Sequence, residues 1–471
     1  MRSEKVSASP CVAGFAEQGV EVWRSMLGEL SPCFTRPGQR RFAALVSGAL
    51  LSERRPLVTE IVTALGLQDH WRAVEAFVEE GSWPLEEVER KLAKLAADSG
   101  RWRGRPIDCA QGREPVERQL WAVDDLKVLK SGKKIWGACS FHEYTSRSSN
   151  RPETVWAHNW VLCGALKLGP AQKAFLPTSA RLYARRQQMP PGESFRAKTE
   201  LAVELLRDCA RGVEGRHLAV FDGAYAVSTT VQPLIDPPGG QPRIDLLSRL
   251  RFDSRLYELP PARQEGQRGR PRRWGSPLPA PPDADRWPGH WRRAEALVYG
   301  RTRRIRYKKV LCQWHPAGAE ARVHAFAFRI DGYQRPWHLV TSDLDLQAQD
   351  VVELYAARFA QEDAHRDLKQ QLGLGTCQGR LKNSVLRTFQ LRLVTMTMLR
   401  ALQELLDAQQ SDPWWSKPPW YRQKQRGSLR DVKRLVEEAW RHFPQLGRES
   451  LTLEKALAAG PRGPMALRRA A

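Results

Sequence analysis

Between residues 117 and 250, apolar runs follow one another in an order that few architectures can accommodate. Runs suited to strands occupy Gln119–Val123, Lys134–Phe141 and Val155–Leu166, and Phe195–Leu206 then repeats its apolar residues at helical spacing. His217–Phe221 reads as another strand, and Ile244–Leu250 follows after a further helical stretch. Three strands, helix, strand, helix, strand predicts an α/β domain built on a mixed sheet.

Two of those strand runs end on an acid. Leu120-Trp121-Ala122-Val123 leads into Asp124, and His217-Leu218-Ala219-Val220-Phe221 leads into Asp222-Gly223-Ala224-Tyr225, so each carboxylate is expected where a buried strand reaches solvent. An Asp after a strand is also an ordinary turn former or helix cap, so either acid alone carries little. Together they are placed to share a hard cation, since Mg²⁺ binds through a few carboxylates, waters and a substrate phosphate. Asp125 follows directly. Strand alternation puts Ala122 and Asp124 on one face and Trp121 and Val123 on the other, which makes Asp124 the candidate ligand and points Asp125 away.

A third acid sits in a basic, aromatic frame. Tyr355, Arg358, Glu362 and Lys369 fall in a stretch that reads as one continuous helix, and at roughly 100° per residue their side chains project within an arc of about 60°. A phosphodiester backbone would meet such a stripe, although a merely solvated face has the same look. By residue type, Arg358 could hold a phosphate through two parallel N–H bonds, Lys369 could act as a point charge, and Tyr355 could bond or stack. His365 and Asp367 read as bystanders.

The Tyr-x2-Arg-x3-Glu-x6-Lys spacing resembles the signature around the last acid of bacterial insertion-sequence transposases with an Asp-Asp-Glu (DDE) site. WAVDDLKVLKSGKK, at Trp121–Lys134, and FDGAY, at Phe221–Tyr225, are similar to the segments around the first two acids, and the resemblance spans most of residues 117 to 400. It departs at Leu126, where the family more often has threonine. The resemblance implies an RNase H-like catalytic core in which Asp124, Asp222 and Glu362 are the catalytic and metal-binding residues. It also implies Mg²⁺, as two ions about 3.5–4 Å apart, with Mn²⁺ able to substitute. Tyr355, Arg358 and Lys369 would contact the DNA end. The reaction would be cleavage at transposon ends and strand transfer into target DNA. Its partners would be double-stranded terminal inverted repeats and target DNA, joined by a homodimer.

The flanks complete an expected layout. Residues 1–116 read as a helical domain for end recognition, with a candidate helix-turn-helix at Arg54–Leu67; residues 117–255 and 342–408 read as the two parts of the core. Glu362 lies 140 residues beyond Asp222, too far for an ordinary connection, so residues 256–341 read as a β-rich insertion with strands at Ala294–Leu311, Ala321–Ile330 and Trp337–Thr341. Arg263–Lys309 holds 14 Lys/Arg against 4 Asp/Glu, which suggests a DNA-facing role. Within it, Arg268-Gly269-Arg270-Pro271-Arg272 resembles an AT-hook core, while Arg301, Arg303, Arg304, Arg306, Lys308 and Lys309 read as a basic strand edge, for phosphates or for solvent. Residues 409–471 read as a helical tail, disordered after Gly460, in which Trp414, Trp415, Trp420 and Tyr421 are expected to pack in a core or interface.

Charge supports the partner class. The formal net charge of +23 over 471 residues favours a polyanion over a small neutral substrate. The start of the chain has no apolar signal region and no apolar run reaches about 18 residues, so a cytoplasmic, nucleoid-associated protein with no membrane partner is expected. Eight scattered cysteines, without a C-x-x-C pair, predict reduced thiols and no zinc site. Two other readings share these features: a structure-selective RNase H-like DNA nuclease, and a non-catalytic DNA-binding protein derived from a transposase.

Overall fold

A computed structural model describes residues 10–52, 57–98, 102–103, 105, 116–143, 154–168, 173–262, 269–409 and 414–442. Five helices come first: α1 (Pro10–Leu30), α2 (Arg36–Leu51), α3 (Val58–Ala64), α4 (Trp71–Glu79) and α5 (Leu85–Asp98). Phe34, Phe42, Phe77 and Trp83 pack ring against ring at their centre. The first part of the helix-turn-helix candidate, residues 54–56, lies outside the described residues.

The sheet begins with β1 (Trp102–Arg103) and β2 (Glu117–Leu129), followed by β3 (Cys139–His142), β4 (Thr154–Leu168) and β5 (Lys173–Tyr183). Helix α6 (Lys198–Ala210), strand β6 (Arg216–Phe221), helix α7 (Ser228–Ile235) and strand β7 (Ile244–Arg249) come next. β2, β4 and β5 pair antiparallel, whereas β6 lies parallel to β2 and β7 parallel to β6. The resulting order β5-β4-β2-β6-β7, helices on both faces, is that of an RNase H-like mixed sheet, as expected. The third long strand is β5, missed in the sequence; the run at Lys134–Phe141 supplies only the short β3, paired to β4.

Strand β8 (Leu256–Tyr257) opens the segment between the two core parts, and β9 (Arg292–Val298), β10 (Arg301–Trp314), β11 (Val323–Ile330) and β12 (Trp337–Thr341) follow. They extend the core sheet instead of forming a separate one: β12 pairs with β7, β11 with β12, and β10 with β11, β9 and β8. The single run expected at Ala294–Leu311 is a hairpin, turned by Tyr299 and Gly300 at φ 48° and 78°. Positive φ at both central residues matches the twist of the flanking strands. β10 is therefore no edge, because β9 and β11 flank it, and Lys308 is buried with its ammonium on the carbonyls of Asp285 and Trp287.

After the sheet come α8 (Ala348–Ala357), α9 (Phe359–Gln370), α10 (Lys382–Gln409) and α11 (Leu429–His442). Residues of α2, α4, α8, α9, α10 and α11 share one hydrophobic cluster with Leu120, Ala122, Leu126, Leu218, Val220 and Leu247 of the sheet. Trp121, Val123, Ala219, Phe221 and Leu246 belong to a second cluster, with α6 and α7 on the other face. Trp83 Nε1 donates to Gln390 Oε1 at 2.6 Å and Lys433 Nζ to the Ser52 carbonyl at 3.0 Å, so the N-terminal helices are tied to α10 and α11. In the tail, Trp420 and Tyr421 are exposed rather than core-packed, whereas Trp414 donates to Asp407. The stretch after Gly460 lies outside the described residues.

Candidate active site

The parallel ladder between β2 and β6 ends at Val123 paired with Phe221. Asp124 and Asp222 are the next residues, side by side, and alternation turns both toward the face covered by α8, α9 and α10. Asp124 does not end its strand, contrary to expectation. β2 continues to Leu129 against β4, so the acid marks the point where only one of two pairings stops. Asp222 does leave its strand, and its Oδ1 accepts the Gly223 amide at 2.7 Å. A Cβ on Gly223 would stand 3.1 Å from the Arg249 carbonyl, so this turn lies close against β7.

The stretch carrying Tyr355, Arg358, Glu362 and Lys369 is two helices, not one. α8 ends at Ala357 and α9 starts at Phe359, with Arg358 between them sharing its N–H between the carbonyls of Leu354 and Tyr355, both at 3.3 Å. Neither Gly nor Pro marks this junction, so helical periodicity runs through it unbroken.

Arg358 spans the site. Its Nη1 donates to Asp124 Oδ2 at 3.2 Å and its Nη2 to Glu362 Oε1 at 3.1 Å. Burial raises the Asp124 carboxyl to about 6, against the lowering effect of Arg358. Burial also works against the charge on Arg358, but Asp124, Tyr355, Asp222 and Glu362 together hold it above its ordinary value. Tyr355, buried under Trp337 and beside Arg358, is pushed up to about 12 by burial. Lys369 is exposed at the end of α9; partial burial lowers its pKa, while Glu143 opposes that shift.

Asp125 faces the other way. Its Oδ2 accepts from Lys198 Nζ of α6 at 2.5 Å. His365 is a buried residue of α9 whose pKa burial lowers to about 4, and Asp367 pairs with Arg400 of α10 at 2.7 Å. Arg270 and Arg272 are exposed, and Trp274 beside them stacks on His315 just past one end of β10, whereas the Tyr299 turn at the other end packs on Phe359, the first residue of the Glu362 helix. Arg268 lies outside the described residues.

Two neighbours escaped sequence reasoning. Tyr225 is buried next to Asp125, Asp124 and Asp222, its hydroxyl without a hydrogen-bond partner among the described residues. Burial, reinforced by those three acids, raises its pKa well above the ordinary value. Its place three residues after Asp222 was the available signal. Arg249, at the end of β7 beside the Asp222 turn, adds a cation near Tyr355; only the β6–β7 pairing could have revealed it.

The donor chemistry suits a divalent cation: carboxylate oxygens, among them those of the half-buried Asp124, whose hydrogen-bonded cation is Arg358. Asp124 and Asp222 come together directly, and Glu362 joins them through Arg358. Among the described residues, no three Asp, Glu, His or Cys side chains already converge as a metal-binding group. No helix of the described residues is long and apolar enough to cross a membrane, and Cys33, Cys139, Cys163, Cys209, Cys312 and Cys377 are free thiols.

Comparison with curated proteins returns no match. The family described as DDE superfamily endonuclease matches residues 29–310, which include Asp124 and Asp222. Its description makes the activity that of a metal-dependent, DNA-cutting enzyme of the nuclease and transposase type. The match covers more than half of the 471 residues, and the chain belongs to the DDE superfamily endonucleases.

Proposed function

We propose that the protein is a transposase of the Y-R-E-K insertion-sequence branch, cutting DNA at transposon ends and joining the freed 3′ hydroxyl to target DNA. The observation that carries this reading is the register of Asp124 beside Asp222, with the α8–α9 junction laying Tyr355, Arg358 and Glu362 over them. Asp124, Asp222 and Glu362 would hold Mg²⁺, in one or two ions, with Mn²⁺ as substitute. Cations bound there would supply Lewis acidity at the scissile phosphate and stabilise the attacking and leaving oxygens.

The chain's own groups do the positioning. Arg358 is the only cation hydrogen-bonded to Asp124 and Glu362 among the described residues, and a DNA phosphate would draw its planar donors away from them. Tyr355 stays neutral at working pH and presents an O–H donor beside that guanidinium. Lys369 adds a charge three turns further along, where it is exposed to a backbone. Two protomers would be needed to bring two ends together.

The test is cleavage of element-end duplexes by the wild type and by Glu362→Gln. The variant should bind DNA as the wild type does and cut none; cutting by it removes Glu362 from the site. Cutting that ignores the end sequence but follows branched structure would favour a junction nuclease, and binding without metal-dependent cutting by the wild type would favour a non-catalytic regulator.

A further inference from the structure

On the sheet face opposite the carboxylates, three arginines stand in one row. Arg306 of β10 is in register with Arg293 of β9 on one side and with Arg329 of β11 on the other. Alternation places all three on the face of Val310 and Cys312, which pack with the α6–α7 side, whereas Ile305 and Phe328 face the α8 side. The row is exposed. Further along β10, residues 285–287 cover the same face above Lys308, so the open part begins at Arg306 and includes Arg304.

Like charges directly opposite each other on a sheet destabilise it, and this row makes little attempt to cancel them. Arg329 pairs with Asp285 at 2.7 Å. Among the described residues, Arg293, Arg304 and Arg306 have no carboxylate at ion-pair distance, although Glu295 stands in register beside Arg304. The row is instead shaped by an aromatic ring. Trp291 lies under Arg329 at 4.6 Å and Arg306 at 5.8 Å, and its Nε1 donates to Asp285 at 3.0 Å. An aromatic plate and one carboxylate thus align two guanidiniums without neutralising both.

The geometry points to a second DNA-binding surface: the Arg293–Arg306–Arg329 row tracks the phosphates of a duplex segment other than the one at the carboxylates. Neighbouring strands lie about 4.8 Å apart, so the row covers about 10 Å, the axial length in which one DNA strand presents about three phosphates. A single straight duplex cannot reach both faces of the sheet at once. The inference rests on the DNA-cutting reading for its partner but not for its geometry.

The experiment compares the full chain with Arg293→Gln/Arg306→Gln, measuring affinity for a fluorescent random-sequence 40-bp duplex from 50 to 200 mM salt. Each lost phosphate contact should lower the slope of log K against log salt by about 0.9, so the variant's slope should fall by about 1.8 and its disadvantage should shrink about tenfold across that range. Its melting temperature should not drop, and Arg293→Lys/Arg306→Lys should restore the slope. Single-turnover nicking of plasmid DNA at saturating enzyme should be unchanged, because the carboxylates are on the other face. An unchanged slope overturns the surface, and nicking lost in step with binding overturns its separateness. If the wild type fails to nick, the catalytic reading falls while the slope still decides this one.

Discussion

Arg358 Nη1 meets Asp124 Oδ2 at 3.2 Å across 234 residues of sequence, and the same guanidinium holds Glu362 at 3.1 Å. One positive charge therefore lies where the proposed ligands would share a dication. Without DNA the two cations compete for the same oxygens. Arg358→Ala should bind Mn²⁺ about tenfold more tightly at pH 8 in the absence of DNA, since a like charge has been removed. Its cleavage should be slower, because the phosphate contact is gone. Calorimetry checks the first part, and weaker Mn²⁺ binding would show that Arg358 organises the carboxylates rather than occupying their place.

The two aspartates after Val123 can be separated by their partners. Asp124 faces Arg358, while Asp125 is paired with Lys198 on the opposite face, both members partly exposed. Such a pair contributes little, about 0–1 kcal/mol. Asp125→Asn should leave Mg²⁺-dependent cleavage within about threefold of wild type and Asp124→Asn should abolish it. The reverse pattern in a nicking assay would exchange their roles.

What the sequence revealed and what it hid have distinct physical causes. Runs such as Leu120–Val123 and His217–Phe221 are legible because a strand buried on both faces is apolar throughout, and the acids following them mark the end of the β2–β6 ladder. Asp124 in mid-strand was not legible, because only the distant β4 decides that β2 continues to Leu129. The joining of β12 to β7 is equally nonlocal. The hairpin at Tyr299 was hidden because tyrosine seldom adopts φ > 0, so it gives no turn signal. The break at Arg358 left no mark either, because neither Gly nor Pro stands there and Arg358 keeps helical dihedrals.

Behind the site, the Arg118 guanidinium of β2 is buried against the Asp343 carboxylate in the loop before α8, with Nη2 to Oδ1 at 3.0 Å. Arg216 at the start of β6 reaches the same Asp343 at 3.2 Å. This cluster fastens the approach to α8 onto both acid-bearing strands. Removing one partner of a buried pair strands the other charge, so Arg118→Ala should lose about 3–5 kcal/mol in urea unfolding. Arg118→Ala/Asp343→Ala should recover part of that loss. A double variant no better than the single would mean that Arg216 already satisfies Asp343.

The raised Asp124 carboxyl makes both binding and stability depend on pH, in opposite senses. Below about pH 6 the metal-free group is protonated, so a proton competes with the cation, and cleavage at subsaturating Mg²⁺ should fall as pH drops below that value, with more Mg²⁺ moving the fall to lower pH. For the metal-free chain the sign reverses. A folded-state pKa above the ordinary value of 3.8 means that the folded state binds the extra proton, so stability declines as pH rises from about 4 to about 6. Asp124→Asn cannot ionise and escapes that decline. It should be more stable than wild type by about 1–2 kcal/mol at pH 7 without divalent ions, a fraction of the full shift because the side chain is still 22% exposed. The advantage should vanish below pH 4 and shrink when Mg²⁺ is added to the wild type. Denaturant melts at pH 4, 6 and 7.5, with and without Mg²⁺, test every step. A gain that persists at pH 4 would mean that the substituted amide improves packing and that the charge on Asp124 is not what weakens the fold.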